Sequence, residues 1–269
     1  MAKFNAADFA VAKAKPLPII MLLDESGSMG ESLGVESGTK INVLNKAVKT
    51  MLTTLSREES QASEFLISII AFGGSGARFV DGVRNTTAAG VDYHDLRPSG
   101  GTPLGAALNM AKAFIEDKEE IPSRSYRPLV VLVCDGMPND NWETPLNGFI
   151  SSGRSAKCDR MALAVGCSEG SREWQMLEQF VAGTDNPVFT ADQAGDIFKF
   201  FKFVTMSVTQ RTQSKDPNKV LPAAQVPQLQ SGEKAIEKAN VVVDDADAAV
   251  IVDAIIIDED EDEEEGFRW

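Results

Sequence analysis

The sequence is poor in the residues that build disulfide frameworks, zinc sites and histidine-based catalytic sites. Its 269 residues include three cysteines and one histidine. An odd number of cysteines without a Cys-x-x-Cys pair argues against a disulfide scaffold and against a zinc site. His94 lies in a polar stretch, which predicts a surface residue rather than the base of a catalytic triad.

Long apolar runs and an excess of basic charge are also missing. No stretch approaches the roughly 20 apolar residues of a membrane span. The first residues contain no apolar core of a secretory signal, which predicts a cytoplasmic protein. The net charge is −14, so no basic face for a phosphate backbone is expected. Membranes and nucleic acids are therefore not expected partners.

The acidic residues are concentrated at the C-terminal end of the chain. Residues 241–269 hold 12 of the 40 acidic side chains and one basic residue. This charge density opposes compaction, so a disordered acidic tail is predicted over residues 233–269. Residues 210–232 are polar and contain three prolines, which is typical of a linker. A folded domain is expected over residues 17–209, after a loosely held arm at residues 1–16.

Apolar runs alternate with amphipathic stretches through the predicted domain. The apolar runs predict strands at 17–23, 65–72, 129–134, 161–165 and 188–190, with a short edge strand within 77–83. The amphipathic stretches predict helices at 40–55, 104–115, 141–155, 173–181 and 195–209. This alternation predicts an α/β fold, with a Rossmann-like, doubly wound, mostly parallel sheet flanked by helices. In such sheets ligands bind beyond the carboxyl ends of the strands.

Oxygen-bearing side chains occur at three such positions. Asp24, Ser26 and Ser28 follow the first strand at alternate positions, and Asp135 follows the third long strand. Thr102 lies in Gly-Gly-Thr-Pro-Leu, where the second helix begins. Oxygen ligands of this kind suit a hard cation such as Mg²⁺ or Mn²⁺ and do not suit zinc. For the first loop alone, the alternative is a Ser/Gly-rich turn that caps the next helix.

Together these motifs resemble the metal-ion-dependent adhesion site of a von Willebrand factor type A domain. The resemblance covers about residues 17–209, with all five positions present in order. It implies that Ser26, Ser28 and Thr102 offer hydroxyl oxygens to Mg²⁺, or to Mn²⁺. It also implies that Asp24 and Asp135 bind the metal directly or through water. One coordination position would stay open for an Asp or Glu side chain of a partner protein.

The overall pattern is most similar to stand-alone bacterial cytoplasmic members of this family, of the kind associated with tellurite resistance and stress systems. The resemblance implies a scaffold or regulator in a stress or signalling system. It suggests a kinase, a PP2C-type phosphatase or an AAA+ ATPase as the partner.

Two alternative functions involve chemistry at the same residues. A Mg²⁺-dependent phosphatase or hydrolase could use a cation held by Asp24 and Asp135 to polarise a phosphoryl oxygen. Residues 17–209 contain no Asp-x-Asp nucleophile pair, and the sequence has no P-loop. A receiver-like phosphoacceptor domain is suggested by Asp135-Gly-Met-Pro, but the spacing is one residue short and no lysine follows the strand at 161–165. The protein is therefore not expected to be an enzyme.

Neighbouring acidic residues have simpler explanations. Glu25 is expected to point away from the metal ligands. Asp140 and Asp185 are predicted to be solvated surface residues, with the rim of the site as the alternative.

The tail has three interpretations. It could be an inert solubilising segment, or Phe267 and Trp269 could dock on a basic, aromatic-accepting groove of a partner. Its acidic side chains could also occupy the open metal position as an internal ligand, because the linker is long enough to allow this.

Overall fold

The computed structural model describes residues 15–33, 38–59, 64–214 and 218. The predicted acidic tail, with Phe267 and Trp269, lies outside the described residues, as do most of the linker and residues 1–14 of the arm. The strands are β1 (Pro16–Asp24), β2 (Glu64–Gly73), β3 (Gly76–Phe79), β4 (Thr86–Thr87), β5 (Leu129–Cys134), β6 (Asp159–Val165) and β7 (Val188–Ala191). The α-helices are α1 (Lys40–Glu58), α2 (Leu104–Glu116), α3 (Glu143–Ser151), α4 (Arg172–Val181) and α5 (Ala194–Gln213).

The strands form one mostly parallel sheet. Its order is β3-β2-β1-β5-β6-β7, and β4 pairs with β2. Strands β1, β2, β5, β6 and β7 run parallel, whereas β3 and β4 pair antiparallel with β2. The chain leaves β1 toward β2 on one side and later returns to β5 on the other. The switch in strand order therefore lies between β1 and β5, where ligands of such sheets bind. The predicted α/β fold is confirmed.

The side chains of the central strands are buried on both faces of the sheet. On one face, Ile20 and Leu22 of β1 belong to an apolar cluster with residues of α2, α3 and α4. On the other face, Ile19, Met21 and Leu23 have no exposed surface. Helices α1 and α5 contact one another and contribute nothing to the first cluster. We infer that they cover this second face, because successive strand residues point to opposite sides. Continuous apolar runs were thus a correct indicator of strands covered on both sides.

Several element boundaries differ from the prediction. Pro16, assigned to the arm, is the first residue of β1, and residues 210–213, assigned to the linker, belong to α5. Helix α3 ends at Ser151 instead of 155, and Lys112 of α2 donates hydrogen bonds to the carbonyl oxygens of Gly148 (2.8 Å) and Ser152 (2.7 Å) at that end.

Strand β6 begins at Asp159, two residues before the predicted start. Its second residue, Arg160, is 2% exposed. The Arg160 guanidinium donates to the carbonyl oxygens of Phe180 and Ala182, both at 2.7 Å. These carbonyl groups at the end of α4 make a buried charge acceptable inside a strand.

No helix in the described ranges combines the length and the apolar character needed to cross a membrane.

Candidate metal centre

The carboxyl ends of β1 and β5 bring two of the predicted ligands together. Asp24 is the last residue of β1, and Asp135 directly follows β5. The two strands are parallel neighbours, with Leu23 paired to Val133. Because both strands end at the same height, the two carboxylates meet at the switch point of the sheet.

Three oxygen atoms from separate side chains converge at this edge. The hydroxyl oxygens of Ser26 and Ser28 are hydrogen-bonded at 3.1 Å. The Ser28 hydroxyl donates to Oδ1 of Asp135 at 2.7 Å, and the Ser26 hydroxyl lies 3.5 Å from the same atom. Adjacent ligands of an octahedral Mg²⁺ site, each about 2.1 Å from the ion, lie about 3 Å apart. The spacing of these oxygens therefore fits a magnesium ion.

The Thr102 loop is held beside this group by backbone contacts. The Gly27 N–H, between the two serines, donates to the carbonyl oxygen of Gly100 at 2.9 Å, and the Gly101 N–H donates to Gly74 at 3.1 Å. Gly100 has a φ of +56°, and a Cβ there would lie 2.6 Å from the Gly74 Cα. Glycine is thus required for the close approach. Within the described residues, Thr102 joins the site through its loop and makes no side-chain hydrogen bond to the other four ligands.

Residues 139 and 140 clamp the Thr102 loop to the loop that follows β5. The Asn139 side-chain oxygen accepts a hydrogen bond from the Thr102 N–H at 3.0 Å, and the Asn139 backbone N–H donates to the Thr102 carbonyl oxygen at 3.1 Å. The Asp140 carboxylate accepts the N–H groups of Gly105 and Ala106, both at 3.0 Å, and so caps α2. The prediction of Asp140 as a solvated surface residue is wrong. Its partners lie 34 and 35 residues away, so no local sequence signal revealed this role.

Burial and the neighbouring charge of Asp135 affect the ionisation of the Asp24 carboxyl. Asp24 has no exposed surface, and burial raises the pKa of its carboxyl to about 6, with hydrogen bonds from Ser26 opposing the shift and the charge of Asp135 adding to it. The Cys134 thiol also donates to Asp24 Oδ2, at 3.2 Å. A buried, negatively charged pair of this kind is stabilised by a cation.

A lysine that the sequence analysis overlooked contacts the same group. Lys40, the first residue of α1, places its ammonium 2.9 Å from Oδ2 of Asp135 and 3.5 Å from a carboxylate oxygen of Glu31. Burial alone would lower the pKa of Lys40, but its hydrogen bonds and the charges of Asp135 and Glu31 raise it above its ordinary value. Lys40 therefore carries its positive charge at neutral pH.

The side chains of three other polar residues considered in the sequence analysis, Glu25, His94 and Asp185, lie away from the proposed metal ligands. Glu25 is 8% exposed, and its carboxylate pairs with Arg78 at 2.9 Å on the β3 side of the sheet. His94 has a 75% exposed side chain, as predicted. Asp185 is exposed in the segment before β7, at the amino ends of the strands. Asp185 therefore does not line the rim of the site.

The donor set defines which ion the site suits. In the described ranges there is no group of three or more His, Cys, Asp or Glu side chains placed to hold a metal. The candidate centre is instead built from two carboxylates and from hydroxyl groups, all of them hard oxygen donors. That chemistry fits Mg²⁺ or Mn²⁺.

Replacing Asp140 with Ala should weaken metal binding although Asp140 is not a predicted ligand. Loss of the cap should cost about 1–2 kcal/mol of unfolding free energy. The looser Thr102 loop should reduce Mg²⁺ affinity about tenfold. Calorimetric titration with Mg²⁺ checks this. Ser171→Ala is the matched control, because the Ser171 side chain caps α4, which carries none of the five ligands. Equal loss of affinity in both variants would contradict a role for Asp140 in positioning Thr102.

Comparison with known proteins agrees with the fold. Residues 19–137 match the family model described as von Willebrand factor type A domain. No curated protein has a significant match to the sequence. A von Willebrand factor type A protein from Catenulispora acidiphila superposes with a TM-score of 0.54 at 20% identity, covering 72% of this chain and 43% of that chain.

Two further solved structures share the fold. The pilus adhesin SpaC from Lactobacillus rhamnosus GG has a TM-score of 0.53 at 16% identity, covering 75% of this chain and 31% of that chain. Proximal thread matrix protein 1 from the mussel byssus has a TM-score of 0.52 at 17% identity, covering 72% of this chain and 49% of that chain. This chain therefore spans less than half the length of each of these three solved chains. The match over residues 19–137 and the sheet architecture together show that this chain has the von Willebrand factor type A fold.

Proposed function

We propose that this chain is a metal-dependent protein-interaction module that binds an acidic side chain of a partner protein through a Mg²⁺ site. The observation that carries the proposal is the convergence of the Ser26, Ser28 and Asp135 oxygens at octahedral spacing beside the buried Asp24. Thr102 is the fifth proposed ligand, held at the site by its loop. Mn²⁺, which prefers the same oxygen ligands, is the alternative ion.

The charges of the protein allow an anionic ligand once a divalent ion is bound. Asp24 and Asp135 together balance the two charges of the ion, and Glu31 balances the Lys40 ammonium, 3.5 Å away, so the loaded site has no excess negative charge to repel a carboxylate. Bound Mg²⁺ would supply an electrophilic coordination position for a carboxylate oxygen. The serine and threonine hydroxyls are neutral, so they add no negative charge that would repel the partner.

The surface around the site is open close to the serine ligands. Gly27, Gly100 and Asn139 are exposed, and Ser28 is half-buried. Small residues at this rim leave room for a side chain carried on another protein. The rim therefore suits a docking contact better than the enclosed pocket typical of a small-molecule site.

The same geometry favours docking over phosphoryl chemistry. The Asp135 side chain has no exposed surface, and its two oxygens are occupied by Ser28 and Lys40. A carboxylate held in this way is a poor nucleophile toward an external phosphoryl donor. We therefore propose that the protein is not an enzyme.

The wider role is proposed from family resemblance. The chain would act in the cytoplasm as a scaffold or regulator of a bacterial stress or signalling system, such as a tellurite-resistance system. Its partner would be a kinase, a PP2C-type phosphatase or an AAA+ ATPase that presents Asp or Glu.

The proposal predicts that partner binding and metal binding are lost together. Wild-type protein should bind one Mg²⁺ or Mn²⁺ in calorimetric titrations, and the double variant Asp24→Ala, Thr102→Ala should bind none. Asp185→Ala is the control, because this acid lies at the opposite edge of the sheet.

The same proteins can then be immobilised to capture a partner with Mg²⁺ or with EDTA. The partner should be retained by wild type and Asp185→Ala only when Mg²⁺ is present. Replacing one Asp or Glu of the partner by Asn or Gln should abolish retention. Capture that is unchanged in EDTA would contradict the proposal.

A further inference from the structure

Asp135 divides its two carboxylate oxygens between different partners. Oδ1 faces the serine hydroxyls, at 2.7 Å from Ser28 and 3.5 Å from Ser26. Oδ2 accepts a hydrogen bond from the Lys40 ammonium at 2.9 Å. A fixed positive charge therefore lies directly across this carboxylate from the proposed metal ligands.

The ammonium is held in place by its surroundings. Lys40 is 9% exposed, and its backbone N–H donates to the Glu31 carbonyl at 2.9 Å. Thr39, immediately before it, caps α1 by accepting the Asn42 N–H. Withdrawing the side chain to solvent would leave Asp135 buried without its charged partner, which is costly. Lys40 is thus held beside Asp135 in the metal-free protein.

We propose that Lys40 is a built-in cation that shares Asp135 with the divalent metal, weakening metal binding and stabilising the metal-free site. This inference rests on the proposed function, because it concerns the same metal centre. It goes beyond that function by assigning the affinity and the reversibility of metal loading to a residue that is not a ligand.

Two opposite effects follow from electrostatics. The Lys40 ammonium contacts one oxygen of the Asp135 carboxylate, and the other oxygen faces the proposed metal position. At this distance the positive charge repels an incoming divalent ion and withdraws electron density from the oxygen that would bind it. Without metal, the same charge offsets the repulsion between Asp24 and Asp135. A neutral side chain at position 40 should therefore strengthen metal binding and weaken the metal-free fold.

The test replaces Lys40 with Met, which keeps the length of the side chain and removes its charge. Calorimetric titrations with Mg²⁺ and with Mn²⁺ at pH 8 should give an affinity about tenfold higher than wild type. In EDTA the melting temperature should be lower by about 4 °C or more. The rise in melting temperature on adding Mg²⁺ should be correspondingly larger.

Two controls separate charge from packing. Lys46→Met removes an exposed lysine of the same helix and should change neither quantity. Lys40→Arg keeps the charge and should bind metal no more tightly than wild type. Should Lys40→Met not fold, Lys40→Gln is measured against the same criteria.

The outcomes distinguish this inference from the proposed function. If wild type binds metal and Lys40→Met binds it no more tightly, the shared-carboxylate inference is wrong and the metal site stands. If neither protein binds metal, the proposed function fails and the inference fails with it. If only Lys40→Met binds metal, Lys40 excludes the ion from the native site, which supports the inference and refutes the proposed function.

Discussion

Replacing Asp24 with Asn should weaken divalent-metal binding by about a hundredfold or more and yet make the metal-free protein more stable at neutral pH. Asp24 is fully buried and close to a second carboxylate, and the pKa of its carboxyl is raised to about 6. Keeping it ionised at pH 7 therefore costs the metal-free fold about 2–3 kcal/mol. Asparagine retains an oxygen that can accept the Ser26 N–H, which Asp24 accepts at 2.7 Å, while the charge is removed.

The pH dependence has a definite sign. In the unfolded chain the pKa of Asp24 is about 3.9, so between pH 4 and 6 the folded state binds more protons than the unfolded state. The contribution of Asp24 to stability is present in full below about pH 4 and is lost as pH rises through 6. Metal-free wild type should therefore gain stability on going from pH 7 to pH 5, and Asp24→Asn should lack this part of the gain.

Urea unfolding in EDTA at pH 5 and pH 7 measures both predictions. At pH 7 the variant should exceed wild type by about 1–2 kcal/mol, allowing for imperfect hydrogen bonding by the amide. Its Mg²⁺ affinity should fall by about a hundredfold or more, since a charged ligand is lost. Asp185→Asn, at an exposed position, should leave both quantities unchanged. An Asp24→Asn protein less stable than wild type at pH 7 would show that ionised Asp24 stabilises the metal-free fold.

Replacing Gly105 with Ala should destabilise the domain, although helix propensity alone predicts the reverse. Gly105 is the second residue of α2, and a Gly-to-Ala change in a helix ordinarily gains about 0.5–1 kcal/mol. A Cβ at this position would lie 3.0 Å from both the Asn141 carbonyl carbon and an Asp140 carboxylate oxygen, and closer still to the Asn141 oxygen. The backbone of this loop must then move, which should cost about 2–4 kcal/mol.

The matched control is Gly148→Ala in α3, where an added Cβ meets nothing within 4 Å. That variant should be more stable by about 0.5–1 kcal/mol in urea unfolding. Gly105→Ala should also lose Mg²⁺ affinity, because the displaced loop carries the Asn139 and Asp140 contacts that position Thr102. If both glycine variants gained stability, the loop after β5 would adjust to the added methyl group at little cost. The contacts of Asn139 and Asp140 would then be too weak to position Thr102.

Sequence pattern was a reliable guide to the strands and to where the site residues lie. The apolar run at 129–134 is the strand β5 without any change of boundary, because a strand covered on both faces is apolar along its whole length. The rule that parallel strands present ligands at their carboxyl ends then predicted that Asp24 and Asp135 would meet. In the structure both are in hydrogen-bonding contact with the same serine loop.

Boundaries were less predictable wherever a distant polar group decides them. The sequence around Asp159 and Arg160 is typical of a loop, yet these residues begin β6, since the end of α4 supplies carbonyl partners for the guanidinium. Helix α3 is shorter than its amphipathic pattern, and Lys112 of another helix binds the carbonyl groups where it ends. Hydrophobic periodicity is local in sequence and carries no information about such contacts.

By itself, the sequence determined the α/β class, the parallel core and the positions of the five candidate ligands, because periodicity and strand-end chemistry depend on near neighbours along the chain. Only the tertiary structure decided that Lys40, 95 residues from Asp135, shares its carboxylate, and that Asn139 and Asp140 hold the Thr102 loop. These contacts arise where separate loops converge at one edge of the sheet. Their partners are fixed by how the helices and strands pack, and packing follows from the whole chain.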